Sequence, residues 1–378
     1  MGDGTMKTVA IISMSRSASD GRILRHISAL TGHFHVVTIG FGPSPSGVVS
    51  HIEIPSAASY LPINLRAIVP HLLRLYRLSS SHTAAVSFVA DHLRRAQYDL
   101  LLLNDVQTLP LLDQFSGPAI VDMHEYAPRE MEEDWRFRVL LMRYYHWLCS
   151  RYLPLAAKVV TVSPGLAREF RHEFGVACHL VMNAREQHDL PIRRTDPPPM
   201  RLVHSGLAAS ARRLEIMIEA VDGLPGVTLD MYLVAAPRQP ATLRRLKHAA
   251  SRTPNVRILD PVPSRELPHT INRYDLALIY LAPDNFSIRH SMPNKLFDSV
   301  QARVGVVTGP SPDMAGFVAA HGIGRSTEVF TAESLRALIS SLGPSEVDRF
   351  KEASDAVARS FHAAAEGEKL AAIALEIV

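Results

Sequence analysis

The feature that most constrains this chain is a repeated alternation. Short apolar runs rich in leucine and β-branched residues are each followed by a segment of helical pattern, and the whole series occurs twice. Apolar runs without polar alternation suit parallel strands covered on both faces, and strand–helix alternation builds a doubly wound α/β sheet. In the first series strands are expected at Thr8–Ser13, His35–Ile39, Leu100–Leu103, Ala119–Asp122 and Lys158–Val162. In the second they are expected at Arg201–His204, Thr228–Val234, Val256–Leu259, Leu276–Tyr280 and Gly305–Thr308. A length of 378 residues exceeds what one core usually serves. Between the series, Asp196-Pro197-Pro198-Pro199 can continue neither a helix nor a central strand. The expected architecture is therefore α/β, with two Rossmann-like doubly wound domains facing across a cleft. Their bounds are 1–190 and 201–378, with 191–200 as linker and the last helix free to pack back on the first domain.

Composition narrows the function classes. Hydrophobic residues make up 47% and charged residues 20%, as in folded soluble domains. A net charge of +3 is too small to argue for nucleic acid. Cys149 and Cys178 have no spacing that suggests a metal knuckle or redox pair, so no metal or cofactor is expected. Met1 to Thr8 lacks the parts of a signal peptide, and no uncharged apolar stretch reaches the roughly 20 residues a membrane span needs. A cytoplasmic location is the default expectation. Neither series carries Gly-x-Gly-x-x-Gly after its first strand, and no P-loop motif occurs, which argues against a dehydrogenase or a P-loop nucleotidase.

Two domains of this kind bind ligands at the carboxyl ends of their strands. After Leu276–Tyr280 a loop leads into Ser291-Met292-Pro293-Asn294-Lys295-Leu296-Phe297-Asp298, a helix-start signal. Free N–H groups at such a start suit a diphosphate, and Lys295 adds a point charge where a cation is otherwise disfavoured. Asp298, one turn on, is placed to accept from a ribose diol. An amphipathic helix with a merely solvated polar face is the plain alternative.

Pro293 to Asp298 resembles the Pro-Asn-Lys-Leu-Phe-Glu segment of a branch of the retaining glycosyltransferase family 4, in which Asp298 takes the place of the ribose-binding glutamate. Ser19-Asp20-Gly21-Arg22-Ile23-Leu24-Arg25 is similar to that family's helix start after strand one. Leu103-Asn104-Asp105 and Asp122-Met123-His124-Glu125 resemble its strand ends, Val160-Thr161-Val162-Ser163 its last N-domain strand, and Ser205-Gly206 with Arg212-Arg213-Leu214-Glu215 its donor-phosphate loop. The resemblance implies the GT-B fold and a metal-free transfer of a hexosyl or N-acetylhexosaminyl group. UDP-sugar is the favoured donor and GDP-sugar the next. It implies donor contacts from Gly206, Arg212, Val262, Asn294, Lys295 and Asp298, with His124, Arg212 and Lys295 catalytic. Ser15, Ser17, Asp20, Arg22, Asn104, Asp105 and Glu125 would face an unidentified acceptor. Two departures stand out: the family's first acid of Glu-x7-Glu falls at His290, and its small-small-Gly-x-Pro turn reads Gln301-Ala302-Arg303-Val304-Gly305. A silent nucleotide-sugar-binding homologue and an epimerase of the same architecture are the competing functions.

Leu61–Leu78 mixes Leu65, Ile68, Val69, Leu72, Leu73 and Leu75 with Arg66, His71, Arg74 and Arg77 and holds no acid. Such a helix can lie on the inner face of an anionic membrane, or can pack on the first sheet with a solvated basic edge. A lipid-linked acceptor would agree with the first alternative.

Overall fold

The computed structural model describes residues 6–62, 65–81, 83–196, 198–237 and 239–378. Met1–Thr5, Pro197 and the side chains of Leu65 and Arg66, all used above, lie outside the described residues. The chain forms two compact units, one of Met1–Met182, Asn285–Ser287 and Ala364–Val378, the other of Asn183–Asp284 and Ile288–Ala363.

The first unit holds β1 (Thr8–Arg16), β2 (His35–Phe41), β3 (Ser50–Ile54), β4 (Leu100–Asn104), β5 (Ala119–Met123), β6 (Lys158–Thr161) and β7 (Cys178–Leu180). All pair in parallel, in the order β3-β2-β1-β4-β5-β6-β7. Leu100, Leu101, Leu102 and Leu103 are each fully buried, because side chains alternate between two covered faces. Leu101 and Leu103 enter one core with Ala10, Ile12 and Val121. Leu100 and Leu102 enter another with Val9, Ile11 and Ile120, which the C-terminal helix Ala363–Glu376 closes through Leu370 and Ala374.

The second unit holds β8 (Met200–Ala208), β9 (Val227–Ala235), β10 (Val256–Leu259), β11 (Leu276–Ile279), β12 (Gly305–Thr308) and β13 (Gly324–Ser326), again all parallel, in the order β10-β9-β8-β11-β12-β13. Each unit is thus a doubly wound α/β sheet, and the chain has the GT-B fold class.

Three strands escape the sequence pattern: β3, β7 and β13. Each lies at a sheet edge, where one side has no partner and a continuous apolar run is not required. The linker expected at 191–200 is instead part of the second unit. Arg193 Nε donates to Asn272 Oδ1 (2.7 Å) and the Thr195 amide to Asp348 Oδ1 (2.8 Å), both within that unit, and the chain passes between units at Met182–Asn183.

Candidate functional site

In the second unit β8 continues past His204, still paired with β9 to its last residue, Ala208. Gly206 therefore sits in a strand rather than in the expected phosphate loop. A Cβ at Gly206 would stand 2.8 Å from Lys295 Nζ, 3.1 Å from Arg212 Nη1 and 3.5 Å from His204 Nε2. Glycine leaves open a small cradle on which three nitrogens converge. Lys295 is in the first turn of the helix Asn294–Gln301, whose N-cap, Pro293, supplies no side-chain acceptor. Its Nζ is closed off from solvent and has no hydrogen-bond partner among the described residues. Burial first, and the Arg212 charge second, lower the ammonium to about 7, against the pull of Asp298. Burial also lowers Arg212.

His204 Nδ1 lies 2.8 Å from the Leu278 carbonyl, which can only accept, so Nδ1 carries the proton and Nε2 presents its lone pair. Burial, then Lys295, holds this imidazole well below its ordinary value and neutral. The cradle gathers two cations and a lone pair without an anion, an arrangement that a phosphate oxygen would complete.

Asp298 lies one turn beyond Lys295, as the spacing requires, but it does not line an open surface. It is 3% exposed, and Arg185 Nε donates to its Oδ1 at 2.6 Å. Burial raises its carboxyl although Arg185 opposes the shift. Arg185 also donates to the Ser264 carbonyl (3.3 Å). Asn294 is exposed at the helix start, and Val262 packs half-buried against the apolar cluster of Val203 and Ile271. His290, where the family pattern has an acid, is 3.2 Å from Asp313 Oδ2. Arg303 adopts φ +56° at the end of the helix, the left-handed conformation that glycine would take more easily. Its buried guanidinium offsets the strain by donating to Asp355 Oδ1 (3.1 Å) and to the Gln301 carbonyl.

In the first unit the expected acceptor residues divide into two groups. One is structural. Arg22 is 6% exposed and donates from Nε and Nη2 to Asp122 (2.7 and 2.9 Å) and from Nη1 to the Val181 carbonyl. His26 Nε2 stands 3.1 Å from the same carboxylate. Burial alone would raise Asp122, but the Arg22 charge and the hydrogen bonds from His26 and Arg22 outweigh it and hold the carboxyl far below its usual range. Asp20 caps the helix Gly21–Leu30 through the Arg22 and Ile23 amides. Ser17 is buried against Gly40, where a Cβ would fall 2.2 Å from its Oγ. Asn104, 1% exposed, ties β4 to β1 through the Ile12 carbonyl (3.1 Å). Assigning these four to a ligand is corrected: a buried guanidinium needs its counter-charge, a helix start its cap, and close-packed strands a filled interior.

The other group remains accessible. Ser15 bonds Ser13 at the end of β1 (2.8 Å). Asp105, at φ +68°, places Oδ1 3.0 Å from His124 Nδ1. Burial raises Asp105 to about 6, and the His124 charge moderates that shift. Burial would lower His124, but Asp105 and then Asp122 hold it above its ordinary value. Beyond it, burial of the carboxyl end and then Glu130 raise Glu125 to about 7, although much of the residue is exposed, and the two glutamates share a proton. This cluster can donate and accept protons near neutral pH. Among the described residues no group of three or more His, Cys, Asp or Glu is placed to hold a metal ion.

The fold defines a class: two doubly wound units of the kind found in GT-B glycosyltransferases. The chain is similar to the sucrose-phosphate synthase of Thermosynechococcus elongatus, at 13% identity and a TM-score of 0.73 over 98% of each chain. It is likewise similar to the Anabaena protein HepE in complex with UDP, at 15% identity and a TM-score of 0.70 over 98% of this chain and 100% of that one. A trehalose-6-phosphate protein from E. coli bound with UDP-2-fluoro glucose matches at 11% identity and a TM-score of 0.68, over 98% of this chain and 99% of that one. No family model and no curated protein sequence matches the chain.

Proposed function

We propose that this protein is a glycosyltransferase that takes its sugar from a nucleoside diphosphate carrier, with the diphosphate in the Gly206–Arg212–Lys295 cradle. The observation that carries the reading is the buried, unpartnered Lys295 Nζ beside Arg212: two cations are held where only an anion would make their burial favourable. The UDP and UDP-glucose carried by structural relatives favour UDP over GDP as carrier. The resemblance to family 4 further implies retention of configuration by same-face transfer.

In this reading, negative charge growing on the leaving diphosphate is met by Lys295, Arg212 and the amides at the start of Asn294–Gln301. The phosphate helps take the acceptor proton, and His124, Asp105 and Glu125 serve the sugar or the acceptor. With those cations in place, transfer is expected to proceed undiminished in EDTA. Complete loss that magnesium or manganese restores would refute metal independence. The direct test of the function is transfer of labelled sugar from UDP-glucose and UDP-N-acetylglucosamine across a panel of acceptors.

Asp298 gives a second check. With Oδ1 held by Arg185, the rest of the carboxylate remains for ribose hydroxyls. Asp298→Asn should weaken UDP and uridine alike by about 5- to 30-fold, the loss of one charge-assisted hydrogen bond of roughly 1–2 kcal/mol. Because the group is buried, the variant should also melt lower, so calorimetry belongs well below its melting transition. Unchanged affinity for both ligands would remove Asp298 from the donor site.

One observation favours a second reading, a silent nucleotide-binding homologue. His290 stands where the family pattern has an acid. Tight UDP binding with neither transfer nor donor hydrolysis across the panel would select it.

A further inference from the structure

The first unit leaves a concentration of large apolar side chains in water. Leu72 (63% exposed), Leu73 (65%) and Leu75 (50%) project from a hairpin of two helices, Leu65–Leu72 and Tyr76–Ser81. Trp135 (62%) and Val139 (66%) project from the helix Trp135–Leu140. With the exposed Tyr60, Val69, Leu78 and Met131, they outnumber the exposed large apolar side chains on all the rest of the described chain.

The two elements belong to one region of the surface. His71 Nε2 bonds the carbonyl of Leu140, the neighbour of Val139, and its ring packs on Tyr144 at 5.1 Å. Tyr76 packs on Tyr144 at 5.5 Å and on Trp147 at 5.7 Å. These contacts occupy the inner side of the hairpin. Arg74, in the left-handed conformation at φ +59°, reverses the chain between its helices, with the Leu75 amide bonded to the Pro70 carbonyl at 2.8 Å. That reversal leaves Leu73 and Leu75 outward on either side of an exposed arginine.

The charge around these side chains has one sign. There is no Asp or Glu from Ile54 through Ala90, or from Trp135 through Arg168. Arg74, Arg77, Arg136, Arg138 and Arg143 are exposed, and the Arg136 guanidinium lies 5.7 Å from the Trp135 ring. Of the acids just ahead of Trp135, Asp134 caps the helix by accepting from the Arg136 amide, and Glu133 accepts from Asn285.

We propose that this hairpin and the helix Trp135–Leu140 dock the protein on an anionic lipid bilayer, with Leu72, Leu73, Leu75, Trp135 and Val139 entering the headgroup–acyl boundary and the arginines paired with lipid phosphates. Apolar side chains that gain nothing in water gain from that boundary, and tryptophan and arginine suit its depth. A second copy of the chain is the poorer occupant, because a self-complementary contact would set one arginine rim against another. No described helix is long and apolar enough to cross a membrane, so attachment would be to one face. The proposal is independent of the nucleotide reading.

The test is co-sedimentation of the full chain with vesicles of phosphatidylcholine alone and of phosphatidylcholine containing about one third phosphatidylglycerol. Binding is expected only to the anionic vesicles, weakening as salt rises. Leu73→Glu with Trp135→Glu should reduce it by about tenfold or more, since an inserted apolar contact becomes a repelled charge. Both sites are exposed, so the variant should keep the melting temperature and UDP affinity of the wild type. Three outcomes would each overturn the proposal: no binding to anionic vesicles, binding that survives both glutamates and so reflects charge alone, or a lipid-free dimer that the glutamates dissociate.

Discussion

Replacing Lys295 by methionine should make the protein more stable and nearly unable to hold a nucleoside diphosphate. The methionine keeps the length of the side chain and removes a buried ammonium that has no partner and lies beside Arg212. Loss of a charge-assisted contact to phosphate is on the order of 2–3 kcal/mol, so UDP affinity should fall roughly 30- to 150-fold while uridine affinity barely changes. The unliganded variant should melt a few degrees higher, because an uncompensated buried charge has been removed. The wild type carries the same signature in pH. Its folded lysine releases its proton near pH 7, whereas an unfolded lysine holds it to about 10.4. Between those values the unfolded chain binds more protons, so stability without ligand rises with pH. Affinity for UDP-glucose, whose phosphates do not titrate in this range, should move the other way. It should fall as pH rises above about 7, with proton uptake visible in calorimetry across buffers of different ionisation enthalpy. Equal affinity of wild type and Lys295→Met for UDP would exclude the cradle as the diphosphate site.

Asp122→Asn should be the most damaging conservative change in the first unit. It removes the counter-charge of Arg22 at a carboxylate that is fully buried, and breaking a buried pair from one side typically costs about 3–5 kcal/mol. A fall in melting temperature of roughly 10 °C is expected. Arg22→Met together with Asp122→Leu should lose far less, because neither charge is then left alone. Asp122 is held well below the ordinary carboxylate value of about 3.9, so the stability it contributes is present above that pH and is lost as pH falls below it. The wild type should therefore show a steep acid loss that Asp122→Asn lacks. UDP affinity measured at low temperature should be the same in both. A variant that melts normally but loses acceptor binding would return Arg22 to the site.

Strands buried on both faces were legible because their composition has no other use: Val256–Leu259 and Gly305–Thr308 fall where the apolar runs place them. Edge strands such as Ser50–Ile54, with Ile54 its one fully buried residue, carry no such mark. At the site, the position of Lys295 in an opening helical turn could be read locally, and so could the left-handed demand on Arg303. His204 and Arg185 could not. The first acquires its role from pairing of β8 with its neighbours, and the second meets Asp298 across 113 residues of chain. Arg22 was misplaced for want of a signal that was present. An aspartate within the apolar run Ala119–Met123 must be paired if that run is a central strand, and a nearby arginine at a helix start free of acids is a natural partner.

The closure of the first core by Leu370 and Ala374 has a consequence for how the protein is made. A ribosome that has released the first 182 residues has delivered seven strands, with part of one sheet face still waiting for a helix nearly two hundred residues away. The second unit can be finished first, although it is translated later. Until the last two turns emerge, Val9, Ile11, Leu100 and Leu102 lack some of their cover, which makes this interval the one in which the nascent chain most needs a chaperone.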